Sequence, residues 1–92
     1  MIKNFRHKGL RELFEDGKTA RINPAIQRRV ERILAPLDRI KDVRELDHPA
    51  YRLHKLAGDL KGFWSVSVSG NWRIIFRYEN QNVYDVDFLD YH

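Results

Sequence analysis

Apolar residues recur at helical spacing through the first half of the chain and at alternate positions through the second, so the chain changes from helices to strands near its middle. Over residues 8–16, Leu10, Leu13 and Phe14 fall at i, i+3 and i+4, and Gly17 stands where a helix would stop. Asn23 and Pro24 then supply an N-cap side chain and a proline for the first helical position. Ile26, Val30, Ile33, Leu34 and Leu37 follow at helical spacing, which predicts the longest helix, ending near Ile40. Arg28, Arg29, Arg32 and Arg39 occupy its other face. Residues 2–6 predict a short first strand, and alternation predicts four more at 51–56, 62–68, 72–78 and 83–89. Leu53, Trp64, Val66, Val68, Trp72, Ile74, Phe76, Tyr84, Val86 and Phe88 share the parity expected to pack on the helices.

The apolar parity also selects the loops. A two-residue turn at Gly70-Asn71 would set Val66 against Ile75, whereas a three-residue loop from Ser69 to Asn71 sets it against Ile74 and Trp64 against Phe76. The longer loop is therefore expected. The same reasoning predicts a loop at Asn80-Gln81-Asn82, with Phe76 opposite Val86 and Arg77 opposite Asp85. The resulting fold class is α+β, with two N-terminal helices on one face of a mainly antiparallel sheet of four to five strands.

Ninety-two residues leave room for one domain over 1–92, and the 42% hydrophobic and 12% aromatic content is that of a globular chain. The absence of cysteine excludes disulfides and Cys-ligated zinc, and points to a reducing compartment. No apolar run reaches the roughly 20 residues of a membrane span, and no apolar signal region follows Met1, so a cytoplasmic protein without membrane partners is expected. The chain carries a net charge of +4, unevenly spread. Residues 1–77 hold seventeen Lys and Arg against nine Asp and Glu, a net +8, while the last fifteen hold four acids and no Lys or Arg. Such a basic region suits a polyanionic partner.

The parity opposite the core collects Arg52, His54, Ser65, Ser67, Arg73, Arg77, Asp85 and Asp87. On an uncovered sheet face, arginines, serines and a histidine can hold phosphate. His54 reads either as a solvent-facing strand histidine or as a proton-transfer group, since imidazole titrates near neutrality. The terminal Asp90-Tyr91-His92 reads either as a frayed end or as a proton-transfer cluster with His54. Arg73 is a candidate phosphate clamp, whereas Arg77 is expected to pair with Asp85. Trp64 and Trp72 read as core, and the four helical arginines as a solvated face that would also suit nucleic acid. No phosphate-binding glycine loop, dinucleotide motif, HExxH or nucleophile elbow occurs, and the scattered histidines predict no metal site.

Several segments together resemble the HigB toxins of the RelE superfamily: the opening from Ile2 to Leu10, Tyr51-Arg52-Leu53-His54-Lys55-Leu56, Gly58-Asp59, Gly62-Phe63-Trp64-Ser65-Val66, Asn71-Trp72-Arg73-Ile74 and Asp90-Tyr91-His92. The resemblance covers essentially the whole chain. It implies a bacterial type II toxin that enters the decoding site of the 30S subunit in the 70S ribosome and cuts mRNA by metal-independent 2′-OH attack, with no cofactor. It implies catalytic roles for His54, Asp90, Tyr91, His92 and Arg73; beside them, Arg52, Lys55, Arg77, Ser65 and Ser67 are expected as RNA or phosphate contacts. Ala57 stands where some relatives carry lysine, which shifts that phosphate contact to Arg52 or Arg73. The implied partner is a HigA-like helix-turn-helix antitoxin, with the toxin monomeric when free and hetero-oligomeric in complex. Two alternatives are a non-enzymatic toxin like the ParE branch, which binds gyrase, and a plain RNA-binding module.

Overall fold

A computed structural model describes residues 1–90. Helix α1 spans Lys8–Asp16 and α2 spans Pro24–Leu37. Strands β1 (His54–Lys55), β2 (Phe63–Ser69), β3 (Trp72–Glu79) and β4 (Asn82–Asp90) form one antiparallel sheet in the order β1-β2-β3-β4. This is the expected α+β class, with four strands. Among the described residues no helix is long and apolar enough to cross a membrane.

Helix ends follow local chemistry. His7 caps α1, its Nδ1 accepting from the Leu10 N–H at 3.1 Å, and Gly17 closes it in the left-handed conformation at φ 78°. Gly9 lets His7 and Arg21 approach: an added Cβ would lie 2.8 Å from His7 Cε1 and 2.9 Å from Arg21 Cβ. Asn23 Oδ1 caps α2 as expected, accepting from Ala25 N–H at 2.9 Å. The helix ends at Leu37 rather than near Ile40: Asp38 N–H still bonds four residues back, to Leu34 O, but Arg39 N–H bonds only three back, to Pro36 O. An unforeseen 3₁₀ turn at Val43–Leu46 is held by a capping box between Asp42 and Glu45. Bonded by Arg44 side chain and backbone, Asp42 stays ionised down to a pKa of about 2.

Both hairpins keep the expected pairing beyond a bulge near each turn and reach it differently. Val66 faces Ile74 and Trp64 faces Phe76, yet Ser69 pairs with Trp72 around a two-residue turn, and the odd residue is absorbed between Ser67 and Ser69. Likewise Glu79 pairs with Asn82 around Asn80-Gln81, both left-handed at φ 51° and 64°, the turn whose twist matches antiparallel strands. Asp85, at φ 54°, takes up the extra residue there. This bulge corrects two expectations: Arg77 sits opposite Tyr84 rather than Asp85, and Val83 replaces Tyr84 on the core face.

The predicted first strand is reduced to two parallel bridges, Ile2 to Val83 and Phe5 to Val86. Between them Asn4 clasps the bulge, donating Nδ2–H to Asp85 Oδ1 at 2.8 Å and accepting Asp85 N–H at 3.0 Å. The predicted strand over 51–56 shrinks to two residues because Arg52 adopts φ 47°. The segment still follows β2: Tyr51 O accepts from Ser67 N–H at 2.6 Å, and Leu56 N–H donates to Phe63 O at 2.9 Å.

The core lies between the two helices and one sheet face, with Leu10, Leu34, Val66, Ile74, Phe76 and Val86 essentially inaccessible. Leu53 and Trp64 pack against it. Trp72 is only at its margin: at the hairpin end it is 37% exposed and stacks on Phe88 at 4.6 Å, so its place inside the expected core is corrected.

Candidate functional site

The sheet face away from the helices is ordered by strand pairing into rows. His54 faces Ser65, Ser65 faces Ile75, and Ile75 faces Asp87. Two residues along β2, or about 7 Å, Ser67 faces Arg73 and Arg73 faces Leu89. A third row, Phe63, Arg77 and Tyr84, flanks the first on its other side.

His54 is exposed, and its Nδ1 lies 3.1 Å from the Arg52 carbonyl oxygen. A carbonyl only accepts, so Nδ1 carries the proton and Nε2 is the nitrogen left to exchange one with a ligand. The left-handed backbone at Arg52 turns this carbonyl onto the ring. Conformations of this kind cost about 1 kcal/mol or more in a non-glycine residue and persist where surroundings hold them. Here the Tyr51–Ser67 and Leu56–Phe63 hydrogen bonds on either side supply that support.

Arg73 is half-buried, and its guanidinium donates to the Ser67 hydroxyl. No ion pair engages it among the described residues, so its remaining N–H groups can meet phosphate oxygens. Arg77 is placed differently. It binds Asp85 at 3.0 Å and Glu79 at 3.2 Å and lies against the Tyr84 ring. The expected Arg77–Asp85 pair therefore forms even though the backbone register between them differs. The Asp85 carboxyl is held below the usual range chiefly by the Asn4 hydrogen bond, with Arg6 and Arg77 adding to it.

The other candidates separate. Ser65 is 1% exposed, beneath the surface of the row it shares with His54, so in this conformation its hydroxyl does not meet ligand. Nor is the face bare as expected: Ile75 is 1% and Phe63 6% exposed, with Arg6 packed 5.0 Å over the Phe63 ring. Lys55 lies on the helix-side parity, its Nζ 5.2 Å from the Trp64 ring centre. Arg52 is exposed at the kink. β4 runs one residue further than expected, and Asp90 pairs with Trp72, on the parity of Phe88 rather than that of Arg73. Tyr91 and His92 lie outside the described residues. The structure thus joins His54, Ser67 and Arg73 on one accessible face. It adds the Arg52 kink, for which the sequence carries no turn residue as a signal.

Comparison with known proteins agrees in kind. A family profile described as the RelE-like toxin of type II toxin-antitoxin system HigB matches residues 3–92. Endoribonuclease HigB of Proteus vulgaris is 41% identical over 92 residues, covering all of both chains. Toxin HigB-1 of Vibrio cholerae serotype O1 is 34% identical over 80 residues, 85% of this chain and 84% of that one.

Proposed function

The chain belongs to the HigB-like family of RelE-like toxins from type II toxin-antitoxin systems, and on that premise we propose that it is an endoribonuclease that cuts translated mRNA in the ribosomal decoding site. The observation that carries this reading is an exposed imidazole, its Nδ1 held by the Arg52 carbonyl, beside the Arg73 guanidinium, which joins no ion pair among the described residues, on adjacent rows of one face. A relative named as an endoribonuclease along the full chain supports it.

In the proposed reaction the ribose 2′-OH attacks the neighbouring phosphorus. An O2′–P bond forms and the P–O5′ bond breaks, leaving a 2′,3′-cyclic phosphate and a 5′-hydroxyl. One proton leaves the 2′-OH and another must reach the departing 5′-oxygen. His54, through Nε2, and His92 divide these two transfers, and Asp90, on the opposite parity from Arg73, acts with Tyr91 on the neighbouring His92 rather than on His54. Arg73 neutralises the extra negative charge on the phosphorane, and Ser67 holds that guanidinium in place. The ribosome supplies the alignment of 2′-oxygen and phosphorus, the contribution a small open face is least able to make.

Family membership carries an antitoxin partner. We propose a helix-turn-helix antitoxin of the HigA kind, with the toxin monomeric when free and acting as a single domain over 1–92. A gyrase-binding toxin would have no use for an imidazole and a guanidinium presented together. The chemistry is tested with programmed ribosomes and an mRNA carrying a single 2′-deoxy nucleotide immediately 5′ of the mapped cut. Cleavage should vanish at that phosphate and the ordinary product should end in a 2′,3′-cyclic phosphate. Cutting of the deoxy position at the ordinary rate would sink the 2′-OH mechanism.

A further inference from the structure

A second feature lies around the edge of β2 from Arg73. A cleft of about 370 Å³ opens between α2 and the start of the 51–56 segment, lined among others by Arg29, Arg32, Tyr51 and Ser67. Arg29 and Arg32 stand at i and i+3, so both side chains lie on one face of α2. Both are exposed, and neither joins an ion pair among the described residues. Tyr51 is half-buried, its backbone tied to Ser67 at 2.6 Å and its ring 5.7 Å from that of His48. Ser67, which receives the Arg73 hydrogen bond, also lines this cleft, so the two features share a wall.

Two guanidinium forks and an anchored aromatic ring are what single-stranded RNA requires: charge-assisted bonds to phosphate and a π-face on which any base stacks. The volume sits at the small end of the range of about 300–1,000 Å³ for ligand sites, which suits one nucleotide. An acidic peptide would use the arginines and leave the ring without a role. We propose that this cleft is a subsite for one nucleotide of the RNA strand that flanks the scissile phosphate. Arg29 and Arg32 hold its phosphate and Tyr51 carries its base. The inference rests on the endoribonuclease reading for the identity of the strand, but its test does not require cleavage.

Binding of a fluorescent single-stranded RNA decamer is followed by anisotropy across a salt series. The cleft pair Arg29→Glu/Arg32→Glu is compared with Arg28→Glu/Arg39→Glu, one position on α2 and one just past its end, which changes the net charge equally outside this cleft. Arg29→Gln/Arg32→Gln and the melting curve of each protein accompany them, so that a folding defect is not read as lost binding. The cleft pair should weaken RNA binding at least about tenfold more than the control pair and flatten the salt slope by about 0.7 per lost phosphate contact. Tyr51→Ala should also weaken binding about tenfold while Tyr51→Phe does not. Equal losses in both pairs would reduce the effect to overall charge and overturn the subsite. Unchanged RNA binding with weakened antitoxin binding would overturn it in favour of a protein contact. Ribosomal cleavage by the unsubstituted protein is read separately: its absence overturns the endoribonuclease, and cleft-dependent RNA binding would still stand.

Discussion

His54 and Arg52 are coupled through one atom, the Arg52 carbonyl oxygen, and that coupling makes a measurable claim about a single proton. A neutral histidine side chain in water favours the proton on Nε2, whereas the 3.1 Å contact to a carbonyl demands it on Nδ1. Nitrogen-15 NMR of the neutral side chain should show the Nδ1–H tautomer in the folded protein, and a dominant Nε2–H signal would break the link. Arg52→Gly keeps the carbonyl and accepts the positive φ, so the tautomer should persist; Arg52→Pro forces φ near −65° and should lose it. Of the site, His54 and Arg73 were legible in the sequence because both lie on a strand parity that alternation exposes. The fate of Ser65 was not legible, since its burial depends on neighbouring side chains rather than on its own parity. The Arg52 kink was invisible for a different reason: arginine has no preference for the left-handed region, so only the hydrogen bonds around it impose the conformation.

At the scale of elements, the two helices were readable because periodicity, the Asn23-Pro24 start and Gly17 agree. Register was readable because shifting it by one residue would expose an entire apolar face. The turns were not. Counting residues predicts three-residue loops, while the chain prefers two-residue turns and places the surplus residue in the ladder, next to Ser67 and at Asp85. Asn4 then clasps that second bulge, a contact 81 residues away in sequence that no local pattern announces. The cap of α1 makes an element-scale prediction. Burial pushes the His7 imidazole below its ordinary pKa, with Asp87 opposing and Arg21 assisting the shift. The folded state therefore favours the neutral ring, whose Nδ1 accepts the Leu10 N–H. The stabilisation is complete above the unfolded pKa of about 6.5 and declines as pH falls below it toward the lowered folded value. A His7→Asn substitution keeps a cap that does not titrate, so its melting temperature should fall less than that of the unsubstituted protein between pH 7 and 5. Parallel curves for the two proteins would remove the cap from the pH dependence.

At the scale of the molecule, the charge asymmetry becomes a spatial one. Three of the four acids of the last fifteen residues, Asp85, Asp87 and Asp90, run along β4, at one edge of the sheet, where Asp85 engages Arg77. Arg73, one strand in from that edge, and Arg29 and Arg32, on α2 beside β2, join no ion pair among the described residues and can meet phosphate. A strand of RNA would thus meet basic groups on the β1–β2 side and carboxylates on the other, which orients it across the sheet. The central claim is that this face performs ribosome-dependent cleavage through His54. It is tested most directly by primer extension on a reporter mRNA translated in vitro, with the unsubstituted protein and His54→Ala side by side, each with and without ribosomes. Cuts should appear only with ribosomes and fall by about 100-fold or more in His54→Ala, as loss of a proton-transfer group requires. Intact message in the presence of ribosomes, or equal cutting by His54→Ala, would contradict the account.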